Sequence, residues 1–324
     1  MSVFPGKHWE LADAGSLGWS EERLLALNGT LTVSGSTALA VIHGGAPVWA
    51  WGDVARKSSV ASVRKSLISL MFGIAVERGQ IDPAATLEDL GIDDIGRLTP
   101  AEGSATIRDL LMARSGVYHP SVYDTAKDRP ERGAHAPGAH WFYNNWDFNA
   151  LGTIFSAATG ETVPEAFGLM LAEPLGMQDY APGDIRFLHG PESVHPVYKM
   201  RFSARDLARI GLLVLNDGRW RDRQIVPKDW LDDSFSPHSR IDDGRYYGLL
   251  WAVTDAHAPG DPLAIDVPIV YAAGFGGQYV VVARDRDLVV VHRAANVDAG
   301  IGHARMGEIL RAVVEAMPVR RPAP

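Results

Sequence analysis

Strand patterns gather at the two ends of this sequence and helical patterns fill its middle. That layout predicts an α/β (α+β) fold, an antiparallel sheet flanked by terminal helices with an all-helical domain inserted. Three observations carry the prediction. Residues 37–52 hold two β-prone runs around Gly44-Gly45, a hairpin signal. Residues 278–292 hold two more around Arg284-Asp285-Arg286-Asp287, which points to antiparallel pairing. Amphipathic stretches lie outside both hairpins. The sheet domain is expected from residues 1–60 and 240–324, the helical one from 61–239, with a site at their interface.

In chain order, residues 19–27 form an amphipathic helix, with Ser20 as N-cap, Glu21 and Glu22 in the first turn, and Leu24, Leu25 and Leu27 as its apolar side. The hairpin at 37–52 follows, with His43 at its turn expected on the surface. Residues 62–76 form a helix that Glu77-Arg78-Gly79 ends. Ile81-Asp82-Pro83 then breaks the chain, and 106–113 is a further helix. Residues 117–139, rich in Pro, Gly, His and charge, read as a long surface loop that could cover a site. Helical signals return at 150–158, 163–171 and 203–215. Strands are expected at 248–253, 270–273, 278–283 and 288–292, and a closing helix at 301–317.

Composition narrows the classes of function. With 324 residues, 46% hydrophobic and 22% charged, the chain can bury a large core. A net charge of −8 argues against nucleic acid as a partner. The densest basic stretch, 201–223, is interleaved with Asp206, Asp217 and Asp222 and reads as a solvated helix and loop. Cysteine is absent, which excludes disulfides and thiolate metal sites. No uncharged apolar run approaches a bilayer span, and residues 1–10 lack an apolar leader core, so a cytoplasmic protein without membrane contact is expected. No metal or cofactor motif is present: H-E-x-x-H and G-x-S-x-G are missing, and Gly274-Phe275-Gly276-Gly277 precedes a strand rather than a helix.

The most informative stretch is Ser62-Val63-Arg64-Lys65 and the helix it opens. From Ser66 to Val76 there is no charge, so the helix should be buried centrally. Ser62, Lys65, Ser66 and Ser69 make one polar stripe on it. A lysine one turn beyond a serine can take its proton, and the helix N-terminus offers N–H groups where an oxyanion would develop. A second unusual stretch is Trp141-Phe142-Tyr143-Asn144-Asn145-Trp146, with aromatic walls and a few polar groups suited to a small-molecule pocket. By composition alone, S-x-x-K and Y-x-N would occur together only about 0.06 times in such a chain.

With the glycine-rich Ala272-Ala273-Gly274-Phe275-Gly276-Gly277-Gln278 as a third piece, the chain resembles the serine β-lactamase and penicillin-binding-protein family of S-x-x-K hydrolases. Its Y-x-N is most similar to the branch holding class C β-lactamases, family VIII esterases and 6-aminohexanoate-dimer hydrolases. The resemblance implies a β-lactamase/transpeptidase-like fold and roles for matching residues. Ser62 would be the acylated nucleophile, and Lys65 and Tyr143 a coupled acid–base pair, the lysine's charge lowering the phenol's pKa. Asn145 would bind the acyl side of the substrate, backbone N–H groups of Ser62 and Phe275 would form the oxyanion hole, Gly274 would allow close approach, and Trp141 would wall the pocket.

One departure stands out. The family's third motif is usually K-T-G or H-x-G, and here it reads Ala272-Ala273-Gly274, without the cation that meets a β-lactam carboxylate. The expected activity is therefore hydrolysis of a small ester or amide. A β-lactamase, D-aminopeptidase or acyltransferase on the same machinery, or a non-catalytic binding homologue, stand as alternatives.

Overall fold

The structure is a computed structural model that describes residues 3–6, 8–124, 128–242, 244–295 and 300–319. Its helices are α1 (Glu21–Val33), α2 (Val63–Glu77), α3 (Pro100–Gly103), α4 (Ile107–Leu111), α5 (Asn145–Thr159), α6 (Val163–Phe167), α7 (Glu173–Leu175), α8 (Ala204–Leu215), α9 (Lys228–Ser234) and α10 (His303–Ala316). The strands are β1 (Ser36–His43), β2 (Ala46–Gly52), β3 (Ser58–Ser59), β4 (Ile185–Gly190), β5 (Ser193–Phe202), β6 (Arg219–Trp220), β7 (Arg223–Gln224), β8 (Ser239–Asp242), β9 (Arg245–Tyr247), β10 (Ala252–Thr254), β11 (Ile269–Gly274), β12 (Gln278–Ala283) and β13 (Leu288–Ala294).

Both chain ends contribute to one antiparallel sheet of order β2-β1-β13-β12-β11-β10-β9-β8. Alternation along the strands divides its two faces. Ala40, Ile42, Val280, Val282, Val289 and Val291 share a core with α2 and α8. Leu39, Val41, Val281 and Val290 face the other way, into a core with α1 and α10. Pairings such as Ala40 with Val291 and Val41 with Val290 keep each set on its own side; a one-residue slip would exchange them. The expected sheet with terminal helices is thus what the chain forms. Gly211 of α8 sits so close to β13 that a Cβ there would meet Val289 at 2.3 Å.

Several expectations need correction. The inserted segment is not helical throughout, since β4 and β5 form a hairpin and β3 joins it in a three-stranded sheet. Residues 248–251 are not a strand: Leu250 has φ +64°, and pairing begins only at Ala252. Their carbonyls are needed elsewhere, because Ser66 Oγ donates to Leu250 O at 2.6 Å and Ser69 Oγ to Leu249 O at 2.7 Å. The loop after α4 is buried at Val117, Tyr118, His119, Ser121 and Val122, where Asn144 and Asn149 amides bond the carbonyls of Val117 and Val122. Residues 125–127 of that loop lie outside the described residues. His43 is half-buried and accepts the Trp19 indole N–H at 3.2 Å. In the basic stretch, Arg209 is buried and donates to Leu175 O and Gly6 O, because α8 packs against the sheet rather than lying in solvent.

The segment entering α2 is held from two sides. Ser58 and Ser59 pair with Phe202 and Arg201, and Val60 N–H donates to Met200 O at 3.0 Å. From the sheet, the buried Arg293 donates to Ser58 O at 3.0 Å, Ser58 Oγ at 2.6 Å, Ser59 O at 2.8 Å and Phe202 O at 2.6 Å. Burial alone lowers its pKa to about 10, which leaves it charged at neutral pH. Arg293→Met would strand several buried carbonyls and is expected to cost on the order of 3 kcal/mol. Urea unfolding measures this, and a loss below about 1 kcal/mol would show the staple to be dispensable.

Candidate active site

Helix α2 is buried along nearly its whole length, polar residues included: Arg64, Lys65, Ser66 and Ser69 are all buried. Ser62 precedes it as N-cap but makes no capping bond with its side chain, so the hydroxyl is available to other partners. One turn on, Lys65 Nζ stands 3.0 Å from Ser62 Oγ and 2.6 Å from the Tyr143 phenol oxygen. The Tyr143 and Phe148 rings flank the amine, with centroids 4.2 and 4.5 Å from Nζ. The three side chains that the sequence singled out therefore meet at one point.

Burial is the largest influence on how both groups titrate. It pushes the Lys65 pKa well below the ordinary lysine value, and the neighbouring Arg64 guanidinium pushes it further. Burial raises the Tyr143 pKa, with the Ser62 hydrogen bond and the Arg64 charge acting the other way. For the phenol, burial outweighs the cationic help that the sequence reading expected. Burial makes the Lys65 ammonium easier to deprotonate than an ordinary lysine, and the Arg64 charge lowers the phenol's pKa against the effect of burial.

Tyr143 is positioned by the start of α5. Asn144 is the N-cap, its Oδ1 accepting from Trp146 N–H at 3.2 Å, while its amide donates to Val117 O at 2.6 Å and Asp147 Oδ1 at 2.8 Å. Asp147 also accepts from Ser115 Oγ at 2.6 Å, and its full burial pushes its pKa well above the usual carboxylate value. Asn145, the first residue of α5, is half-buried and does not belong to the cavity wall among the described residues.

The cavity in front of Ser62 has a volume of about 450 Å³. Trp141, Tyr143, Gly274 and Phe275 line it together with Ser62 and Lys65. At Gly274 a Cβ would lie 2.4 Å from Val60 O and 3.1 Å from Ser62 N, so only glycine lets the end of β11 approach the serine's backbone. Phe275 follows at the rim, 59% exposed. Among the described residues, neither the Ser62 nor the Phe275 N–H is given to a backbone carbonyl.

The cavity also holds residues that the motifs did not indicate: Tyr247, whose ring lies against those of Tyr143 and Trp141, and, farther on, Arg245, Tyr271, Tyr279 and His303. Arg245 pairs with Asp242 at 2.5 Å, Tyr271 donates to Asp261 at 3.3 Å, and Tyr279 is bonded to His303 Nδ1 at 3.1 Å. Strand alternation placed both tyrosines on one face, but no local signal says that the cavity bends around the end of β11 to reach them. Among the described residues there is no cluster fit for a metal ion, and no helix is long and apolar enough to cross a membrane.

A family model described as Beta-lactamase matches residues 32–305, so the chain belongs to that family, which has a serine hydrolase-type fold. Among curated proteins none matches. Solved structures share the fold at low identity. A Bacillus anthracis protein provisionally named a 6-aminohexanoate-dimer hydrolase is 18% identical with a TM-score of 0.69, over 97% of this chain and 87% of that one. The octameric penicillin-binding protein homologue from Pyrococcus abyssi is 18% identical with a TM-score of 0.67, over 92% and 78%. A Mycobacterium bovis β-lactamase is 21% identical with a TM-score of 0.65, over 92% and 100%.

The close approach at Gly274 can be tested directly. Gly274→Val would force β11 away from the backbone of Ser62 and is expected to slow covalent labelling of Ser62 by a fluorophosphonate by about 10²-fold or more, the scale of one lost oxyanion donor. Intact-mass time courses measure the rate, and an unchanged rate in a folded variant would sink the assignment of this edge.

Proposed function

With that family membership as the premise, we propose that the protein is a serine hydrolase that cleaves a small ester or amide through an acyl-enzyme on Ser62. The observation that carries this reading is the contact of the buried Lys65 amine with both the Ser62 hydroxyl and the Tyr143 phenol. A hydroxyl is a weak nucleophile until a base takes its proton, and an amine 3.0 Å away whose pKa burial lowers well below the ordinary value is suited to take it.

In the first half-reaction, Ser62 Oγ bonds to the carbonyl carbon, its proton passes to Lys65, and the carbonyl oxygen takes up the negative charge. The N–H groups of Ser62 and Phe275 are assigned to that oxygen. The proton then travels by way of Tyr143 to the departing alcohol or amine, and the tetrahedral centre collapses to the acyl-enzyme. Water enters by the reverse route and frees the serine. No external cofactor is required by this chemistry.

The lining argues for a substrate that is uncharged beside the reacting carbonyl. Residues 272 and 273 are alanines, Trp141 and Phe275 are apolar, and Arg245 is engaged by Asp242. An ester or amide with a compact apolar acyl or leaving group fits this wall better than a β-lactam, whose carboxylate would find no cation on β11. Asn145 as a ligand of the acyl group has no comparable support, since it lies outside the cavity wall among the described residues.

The expected outcome is that Ser62→Ala abolishes hydrolysis of a p-nitrophenyl ester and Tyr143→Phe lowers kcat by about 10²- to 10⁴-fold. A chromogenic cephalosporin should turn over far more slowly than the ester. Full esterase activity in the Ser62→Ala variant would remove the proposal, and cephalosporin turnover matching the ester would replace it with a β-lactamase.

A further inference from the structure

Between the nucleophile and its base the sequence places an arginine, and the fold buries it. Arg64 is 6% exposed, one residue before Lys65, yet among the described residues it has no carboxylate partner. Its guanidinium lies 4.4 Å from the Tyr198 ring centroid, Nη2 donates to Asn149 Oδ1 at 3.1 Å, and Nη1 has no partner among the described residues. Asn149 is held in turn by its own donation to Val122 O, and Tyr198 by donation to Phe148 O. All these partners are neutral. A buried cation ordinarily comes with a counter-ion, because desolvating it alone is costly.

Resting on the serine-hydrolase reading above, we infer that Arg64 is a positioning residue that acts through its charge, keeping Lys65 in the amine form that can receive the Ser62 proton. The groups around Lys65 leave this charge uncancelled. Tyr143 before α5, Tyr198 on β5 and Tyr247 on β9 are phenols that burial holds neutral. Asp147 on α5 is a buried carboxyl whose pKa burial raises well above the usual carboxylate value, and it is engaged by Ser115 and Asn144 rather than by Arg64. Across the cavity, Arg245 on β9 is engaged by Asp242. Repulsion between two neighbouring cations disfavours the Lys65 ammonium before reaction. Once Lys65 has accepted the Ser62 proton, the same repulsion favours its release through Tyr143 to the leaving group. Substrate and the hydrolytic water are the only reactants, and the proton taken from Ser62 is the one delivered to the leaving group.

The test is the acid limb of the kcat/KM pH profile on a p-nitrophenyl ester. Below that limb Lys65 is protonated and cannot act as base, so removing the repulsive charge should move the limb to higher pH. Arg64→Met is expected to shift it up by about one pH unit, a tenfold loss on the acid side, with the alkaline plateau largely kept. Arg64→Lys retains a cation and should leave the limb in place. Asn149→Asp sets a carboxylate against the guanidinium without removing it, and should move the limb upward like Arg64→Met. This second variant decides the matter if Arg64→Met does not fold. A limb that stays put in Asn149→Asp, or in a folded Arg64→Met whose activity falls equally at every pH, would show a structural role only. Activity that survives Ser62→Ala would remove the serine reading and this inference with it, whereas an unmoved limb in an enzyme that needs Ser62 removes this inference alone.

Discussion

A lysine amine sealed between a serine hydroxyl and a tyrosine phenol is the contact on which the rest of this molecule depends. In water an ammonium is cheap and Lys65 would be protonated. Here burial, with Arg64 beside it, lowers the Lys65 pKa well below the ordinary lysine value, although the Tyr143 and Phe148 ring faces act in favour of the cation. The proposed chemistry therefore calls for a site that is dry at its base and open at its mouth. The fold meets both demands by placing α2 in the centre and letting its first turn reach the cavity. Ser62 ends up at the boundary and Lys65 one turn below it.

Holding α2 there creates a problem of polar satisfaction, since a buried hydroxyl without a partner is costly. The stripe of serines answers it. Ser66 and Ser69 bond the carbonyls of Leu250 and Leu249, and the turned segment 248–251 exists in the shape that offers those carbonyls. Upstream, Arg293 gathers the carbonyls of Ser58, Ser59 and Phe202 at the entrance to the helix. The serine is thus referenced to the large sheet through Arg293 and to the inserted segment through β3 and β5. Gly274 closes the arrangement by bringing the end of β11 against the Ser62 backbone. Distances at the serine are set by these supports, none of which is a group that reacts.

What could be read in advance follows the range of each interaction. The hairpins β1–β2 and β12–β13 announce themselves by alternation and turn residues, and α1 by its Ser20 cap, all over a few positions. Ser62, Lys65 and Tyr143 were legible because one helical turn and one three-residue motif carry their geometry. The hairpin β4–β5 was not, since Pro196 interrupts β5 and a proline within a run argues against a strand. Residues 248–253 carry a β-prone composition, but composition cannot register that serines 180 residues away claim their carbonyls. The far end of the cavity, from Arg245 to His303, is assembled by four segments that meet only in three dimensions. The shifts of Lys65 and Tyr143 are not local either: burial is their largest cause, and burial of one particular residue is a property of the whole packing.

The missing cation on β11 and the extra cation in α2 bear on each other. During attack on a carbonyl, negative charge grows on oxygen while positive charge grows on Lys65. A cation at position 272 would stabilise the oxygen side and also bind anionic substrates in their ground state, which gives no acceleration by itself. Arg64 is buried and is not among the residues that line the cavity. Its field favours the oxyanion and opposes the ammonium, so the two effects on the proton-transferred state offset each other in part. The uncompensated remainder acts on the step that follows, when the oxyanion collapses and Lys65 must give up its proton. On the proposed reading, a charge buried out of the substrate's reach leaves ground-state binding untouched and acts on how readily the proton moves on, which suits a site for uncharged esters or amides.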